Sequence, residues 1–68
     1  MENIGIGASY EIIVDGKSRT YRDEKKTAFE AAKYLKEMRP LSEVKVRDVL
    51  YNELTVIEWE NGAAIVRS

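Results

Sequence analysis

Residues Ser9 to Val14 alternate in a way that suits a strand, with Tyr10, Ile12 and Val14 on one face. Asp15-Gly16 follows, a hairpin signal, because both central residues of a tight type I′ turn need positive φ. Ser18 to Arg22 is then the return strand. A two-residue loop pairs Val14 with Lys17, Ile12 with Arg19 and Tyr10 with Tyr21. The expected inner face is Tyr10, Ile12, Val14 and Tyr21, with Arg19 its one awkward member.

The period then changes. Ala28, Ala31, Ala32, Leu35 and Met38 recur at helical spacing, with Phe29 and Tyr34 at the margins of the stripe. Asp23 is the expected N-cap, preferred over the capping-box match Thr27-Ala28-Phe29-Glu30 because it lets the charged first turn join the helix. Arg39-Pro40 ends the helix, since proline pushes the preceding residue away from helical angles.

Beyond Pro40 the period returns to two. Val44, Val46 and Leu50 share one face, and Lys45 and Arg47 point the other way. A turn near Asn52-Glu53 continues the buried side through Thr55, Ile57 and Trp59. Its parity pairs Val46 with Trp59 and Asp48 with Ile57, and sets Lys45 against Glu60 and Arg47 against Glu58 as complementary charges. Asn61-Gly62 is a second hairpin signal, folding Ala63 to Arg67 back with Ala64 beside Trp59 and Val66 beside Ile57.

These elements predict an α+β fold, a two-layer sandwich of order β-β-α-β-β(β), with one helix on a mostly antiparallel sheet. The expected strand order is 2-1-3-4-5 with the helix over strand 1; parallel pairing of strands 2 and 3 is an open alternative. Sixty-eight residues read as a single domain, residues 1–68, with 1–8 a flexible N-terminal segment. A chain of this length has a thin core.

Composition narrows the chemistry. There is no cysteine and no histidine, which excludes disulfides, thiolate metal sites, Cys/His zinc sites and Ser-His-Asp or Cys-His catalysis. The uncharged runs are too short to span a membrane. Met1 to Gly5 lacks the basic-then-apolar order of a signal peptide, so a cytoplasmic protein is expected. Residues 17–47 hold ten basic and five acidic side chains, a balance of +5, against −6 for the rest. Such asymmetry marks either a basic face for nucleic acid or a self-complementary fold.

Most candidate motifs give way to structural readings. Gly16-Lys17-Ser18 ends like a phosphate-binding loop, but Glu11 stands where the first glycine belongs and the tripeptide lies between two strands. Gly5-Ile6-Gly7 starts a dinucleotide fingerprint that Tyr10 breaks. Glu58 and Glu60, two apart in a strand, suit a salt-bridged surface better than a cation site. Arg19 and Asp48 are polar at inward parity and are expected at the sheet's periphery rather than in a buried polar pocket. Arg22, Lys25, Lys26, Lys33 and Lys36 make the helix and its approach basic, the one nucleic-acid signal, with Glu24, Glu30 and Glu37 intermixed as on a solvated face. Neither an RNP-like aromatic pair nor a GXXG clamp accompanies them.

The outward face is more informative. Parity gathers Ile13, Val49, Tyr51, Leu54, Val56 and Ile65 there, where an open antiparallel sheet normally turns polar. A homodimer or another protein docking on these residues explains them. The competing account is a curled second hairpin whose side chains cover one another.

The segments Tyr10-x-Ile12-x-Val14-Asp15-Gly16, Tyr21-Arg22-Asp23, Ala28-x-Glu30-Ala31-Ala32-x-x-Leu35-Lys36 and Val44-x-Val46-Arg47-Asp48 resemble a pattern in small single-domain bacterial hypothetical proteins. The resemblance spans residues 10–60. It implies a stand-alone bacterial domain and brings no functional residue with it. The sequence reading is therefore a non-enzymatic protein-interaction or homodimerisation module, with no cofactor, metal or catalytic residue expected. Nucleic-acid binding through the basic helix surface is the alternative.

Overall fold

Both Asx-Gly pairs turn the chain as two-residue hairpins. Asp15 and Gly16 have φ of 52° and 81°, and Asn61 and Gly62 have 56° and 77°, the left-handed pair that a type I′ turn requires. The structure, a computed structural model, describes residues 9–67; the flexible segment expected over residues 1–8 lies outside the described residues. Strands β1 (Tyr10–Val14) and β2 (Lys17–Arg22) flank the first turn. Helix α1 (Lys25–Met38) follows, then β3 (Val44–Asp48), β4 (Glu53–Glu60) and β5 (Ala63–Arg67). The sheet order is β2-β1-β3-β4-β5, every pair antiparallel, which removes the parallel alternative for strands 2 and 3.

The core is formed where α1 meets the middle of the sheet. Ile12, Val14, Ala28, Ala32, Val44, Val46 and Ile57 are buried, with Tyr10, Phe29, Ala31, Leu35 and Ala64 packed around them. Alanine at 28 and 32 brings the helix backbone close to the strands. The helix rests against all five strands rather than chiefly over β1. Its buried line runs Ala28, Ala32, Lys36, one face at i, i+4, i+8, so Met38 swings out to solvent. Lys36 takes the inward place because its stem is apolar and its ammonium reaches the Ser42 carbonyl at the loop beyond the helix.

The helix starts one residue later than expected. Glu24, not Asp23, is the N-cap, in extended geometry and with no side-chain bond to the backbone. Its carboxylate instead accepts from the Thr27 hydroxyl at 3.4 Å.

Two register details depart from simple alternation. Between Ile12 and Ile13 the β1–β2 ladder carries a bulge: Ile13 pairs with Ser18, but Ile12 pairs with Thr20. Arg19 is the extra residue, so the awkward inward arginine is taken out of the pairing. The slip of one carries Tyr21 across to the outer face, opposite Glu11, and puts Thr20 and Arg22 on the helix side. In β3–β4, Val44 pairs with Ile57 and Val46 with Thr55, four residues from the expected register. The turn is Val49–Asn52, and the Asp48 carboxylate holds it by accepting from the Leu50 and Tyr51 amides at 3.1 and 3.2 Å. Leu50 is therefore exposed in a loop rather than buried in a strand. An even slip preserves faces, so Val44, Val46 and Ile57 stay in the core, whereas Trp59, expected on the buried side, is 39% exposed near the edge strand.

A second tie closes the sheet's lower end. The Asp15 amide donates to the Glu43 carbonyl at 2.8 Å, and the Glu43 amide donates to Asp15 Oδ1 at 2.9 Å. Asp15 thus turns β1 into β2 and clasps the entry to β3.

A Cβ at Gly16 would meet open space, so Gly16→Ala tests the backbone alone. The expected loss is about 1–2 kcal/mol from the left-handed conformation, seen as a lower denaturation midpoint with an unchanged m-value.

Candidate interaction surface

On the face away from α1, cross-strand neighbours form two main rows. One row runs Tyr21, Glu11, Arg47, Leu54; the other runs Ser18, Ile13, Lys45, Val56, Arg67. Beside the second row, Ile65 pairs with Glu58. Of the six residues expected to gather there, Ile13, Leu54, Val56 and Ile65 share this face. Val49 and Tyr51 do not. Both lie in the loop between β3 and β4, where Tyr51 is exposed and Val49 donates its amide to the Ser9 carbonyl at 2.8 Å. The apolar group is a band of four with Lys45 crossing it, and two residues at its rim.

One charged group on this face is hidden from solvent. Glu11 is only 7% exposed, although among the described residues no second layer lies over this face. Its described neighbours hold it, one side chain deep. Arg47 Nε donates to Glu11 Oε1 at 2.8 Å, and the Tyr21 hydroxyl donates to Oε2 at 3.2 Å. The Ser18 side chain is the largest influence holding the Glu11 carboxyl below its ordinary value; burial opposes it, and Arg47 and Tyr21 reinforce it. Arg47 is held in turn by Asn52 Oδ1 at 3.3 Å. Nothing in the sequence pattern flagged Glu11, because the bulge that brings Tyr21 opposite it is invisible to period-two alternation.

The charge pairs expected across β3–β4 are replaced. Glu58 and Glu60 accept from Arg67 at 3.1 and 3.3 Å, and Lys45 pairs with Glu43 at 3.5 Å. The Val49–Asn52 turn sets Lys45 opposite Val56 and Arg47 opposite Leu54, so neither lysine nor arginine meets a glutamate there.

The basic residues of the helix and its approach are deployed unevenly. Lys36 is buried and bonded to Ser42. Lys33 is half-buried, and the Lys25 ammonium stands 5.9 Å from the Phe29 ring centroid. Arg22 Nη1 donates to Thr20 Oγ1 at 2.7 Å and to the Tyr21 carbonyl at 2.9 Å. Lys26 is exposed. A shallow groove of about 270 Å³ separates Arg19, Thr20 and Arg22 from Ala31, Tyr34 and Leu35. Among the described residues no group of three or more acidic side chains could hold a metal ion, and no helix is long and apolar enough to cross a membrane.

No protein-family model, curated protein or solved structure matches the chain.

Because the folded Glu11 carboxyl ionises more readily than an unfolded one, its contribution to stability is fully present above the ordinary glutamate range and disappears as pH falls through the folded value. Glu11→Gln is expected to cost about 1–3 kcal/mol near neutrality, since it leaves Arg47 without its anion. Denaturation of both proteins between about pH 7 and pH 3 should show that difference shrinking with acidity. A constant difference would sink the assignment.

Proposed function

We propose that the chain is a non-enzymatic protein-interaction module that docks a protein, a second copy of itself included, on the face of its sheet away from α1. One observation carries the reading: among the described residues α1 packs on one face, and the other keeps half-buried Ile13, Val56 and Ile65 together with exposed Leu54. A wet face of an antiparallel sheet normally turns polar along each strand, and this one does so incompletely. The acidic group beside the band, on the same face, supports the same reading. Glu11 already has Arg47, so a partner covering this face would desolvate a compensated ion pair rather than a bare charge. Val49 and Tyr51 would stand at the rim of such a contact. A bacterial cytoplasmic setting accords with the family resemblance.

Nucleic-acid binding is the competing reading. It draws on Arg22, Lys25 and Lys26 at the corner between β2 and α1, with Lys33 further along the helix. Lys36 contributes little to it, because its ammonium is committed to Ser42.

Sedimentation of the purified chain from micromolar to millimolar concentration tests the first reading. Association that Val56→Lys weakens by about tenfold or more supports docking through this face. A monomer throughout, unchanged by Val56→Lys, removes the self-association version. Duplex and single-stranded oligonucleotides at low salt test the second, since phosphate contacts are strongest there. No binding under those conditions eliminates it.

A further inference from the structure

The two edges of the sheet are built differently. Edge strand β2 has the sequence Lys-Ser-Arg-Thr-Tyr-Arg and carries the bulge at Arg19. Charges and a bulge are the usual devices that keep an edge from pairing with another chain. Edge strand β5 reads Ala-Ala-Ile-Val-Arg and pairs with β4 in continuous register. Its one charge, Arg67, is already bound to Glu58 and Glu60. Among the described residues neither a bulge nor an unpaired charge blunts β5.

The hairpin fixes which backbone groups on β5 face outward. Glu60 and Ala63 flank a two-residue turn and so form the first hydrogen-bonded pair. Alternation then directs the amides and carbonyls of Ala63, Ile65 and Arg67 toward β4. Those of Ala64 and Val66 face the open side. On the helix side of the same edge, Val66 and its neighbour Trp59 remain 45% and 39% exposed.

We infer that β5 pairs antiparallel with β5 of a second copy, joining two sheets edge to edge about a two-fold axis at Ile65. That register is self-complementary. Ala64 lies opposite Val66 of the other copy and Val66 opposite its Ala64, which makes about four backbone hydrogen bonds from the outward groups alone. Ile65 meets its own counterpart on the outer face, where the two side chains come within about 5 Å. Arg67 falls opposite Ala63 of the other copy, well away from the second Arg67. The small Ala63 side chain leaves that arginine a path toward Glu60 beyond it, so the charges match as well. A contact between identical strands closes on itself, and the blunted β2 edge stops growth at two copies.

The inference rests on reading the chain as an association module, but it uses the edge rather than the face. Amide hydrogen exchange of the unmodified chain, followed from low micromolar to millimolar concentration, is the primary test. The Ala64 and Val66 amides should gain protection with concentration, while those of Lys17 to Arg22 should not. In sedimentation, Val66→Lys should weaken the dimer about tenfold or more, with folding checked by its near-ultraviolet spectrum. Exchange at Ala64 and Val66 that is independent of concentration overturns the pairing, as does a dimer indifferent to Val66→Lys. Association lost in Val56→Lys and kept in Val66→Lys would leave face docking standing and remove the edge.

Discussion

The close approach of α1 to the sheet is the constraint on which the rest depends. Ala28 and Ala32 are fully buried, so only methyl groups separate the helix backbone from Ile12, Val44, Val46 and Ile57. A core of seven buried apolar side chains leaves no room to lose contact. Dispersion falls off steeply with distance, so lifting the helix slightly would loosen every strand it touches. That is why the third place in the buried line can be filled by Lys36: a flexible stem lies flat where a branched side chain would prop the helix away. The ammonium then has to leave the core, and the loop at Ser42 is within its reach.

Much of this was legible in the sequence because it rests on local chemistry. Asp15-Gly16 and Asn61-Gly62 specify their turns through backbone φ, and the apolar alternation of β1 and β3 specifies the sheet's inner face. Strand order followed from those faces and the single helix. Within the sheet, the departures are cases where parity was insufficient. A bulge inserts one residue without leaving a mark in the alternation, so Tyr21 changed sides and Glu11 acquired its cover unannounced. The β3–β4 register moved by an even number, which apolar patterning cannot detect. There the charge pairs Lys45–Glu60 and Arg47–Glu58 pointed to a register that does not form. Asp48 decided the matter by binding the Leu50 and Tyr51 amides and making Val49–Asn52 the turn. The outer apolar group was legible for Ile13, Leu54, Val56 and Ile65, whereas Val49 and Tyr51 were drawn into that loop.

The ion pairs divide the sheet in a way that sequence spacing did not suggest. Glu11 and Arg47 join β1 to β3, with Tyr21 bringing in β2. Arg67 joins β5 to β4 through Glu58 and Glu60. Between β3 and β4 the outward partners are Lys45 with Val56 and Arg47 with Leu54, so no charge pair crosses that seam. The seam is held by backbone bonds and by Val44 against Ile57, while α1 bridges it from above. The helix therefore fastens two parts, β2-β1-β3 and β4-β5, between which the described residues form no ion pair.

The clasp between Asp15 and Glu43 also bears on how the chain finds its fold. Every other strand pairing joins neighbours across a short turn and can form within microseconds of collapse. β1 and β3 meet across residues 28 apart, with β2 and α1 looped out between them. Closing a loop of that length costs about 3 kcal/mol in chain entropy, before any β1–β3 bond offsets it. Asp15 sits at the tip of a hairpin that needs no distant partner, so its carboxylate is in place to receive the Glu43 amide as the ends approach. A residue whose first task is to reverse the chain thereby also aligns the strand pairing of longest sequence separation in the sheet.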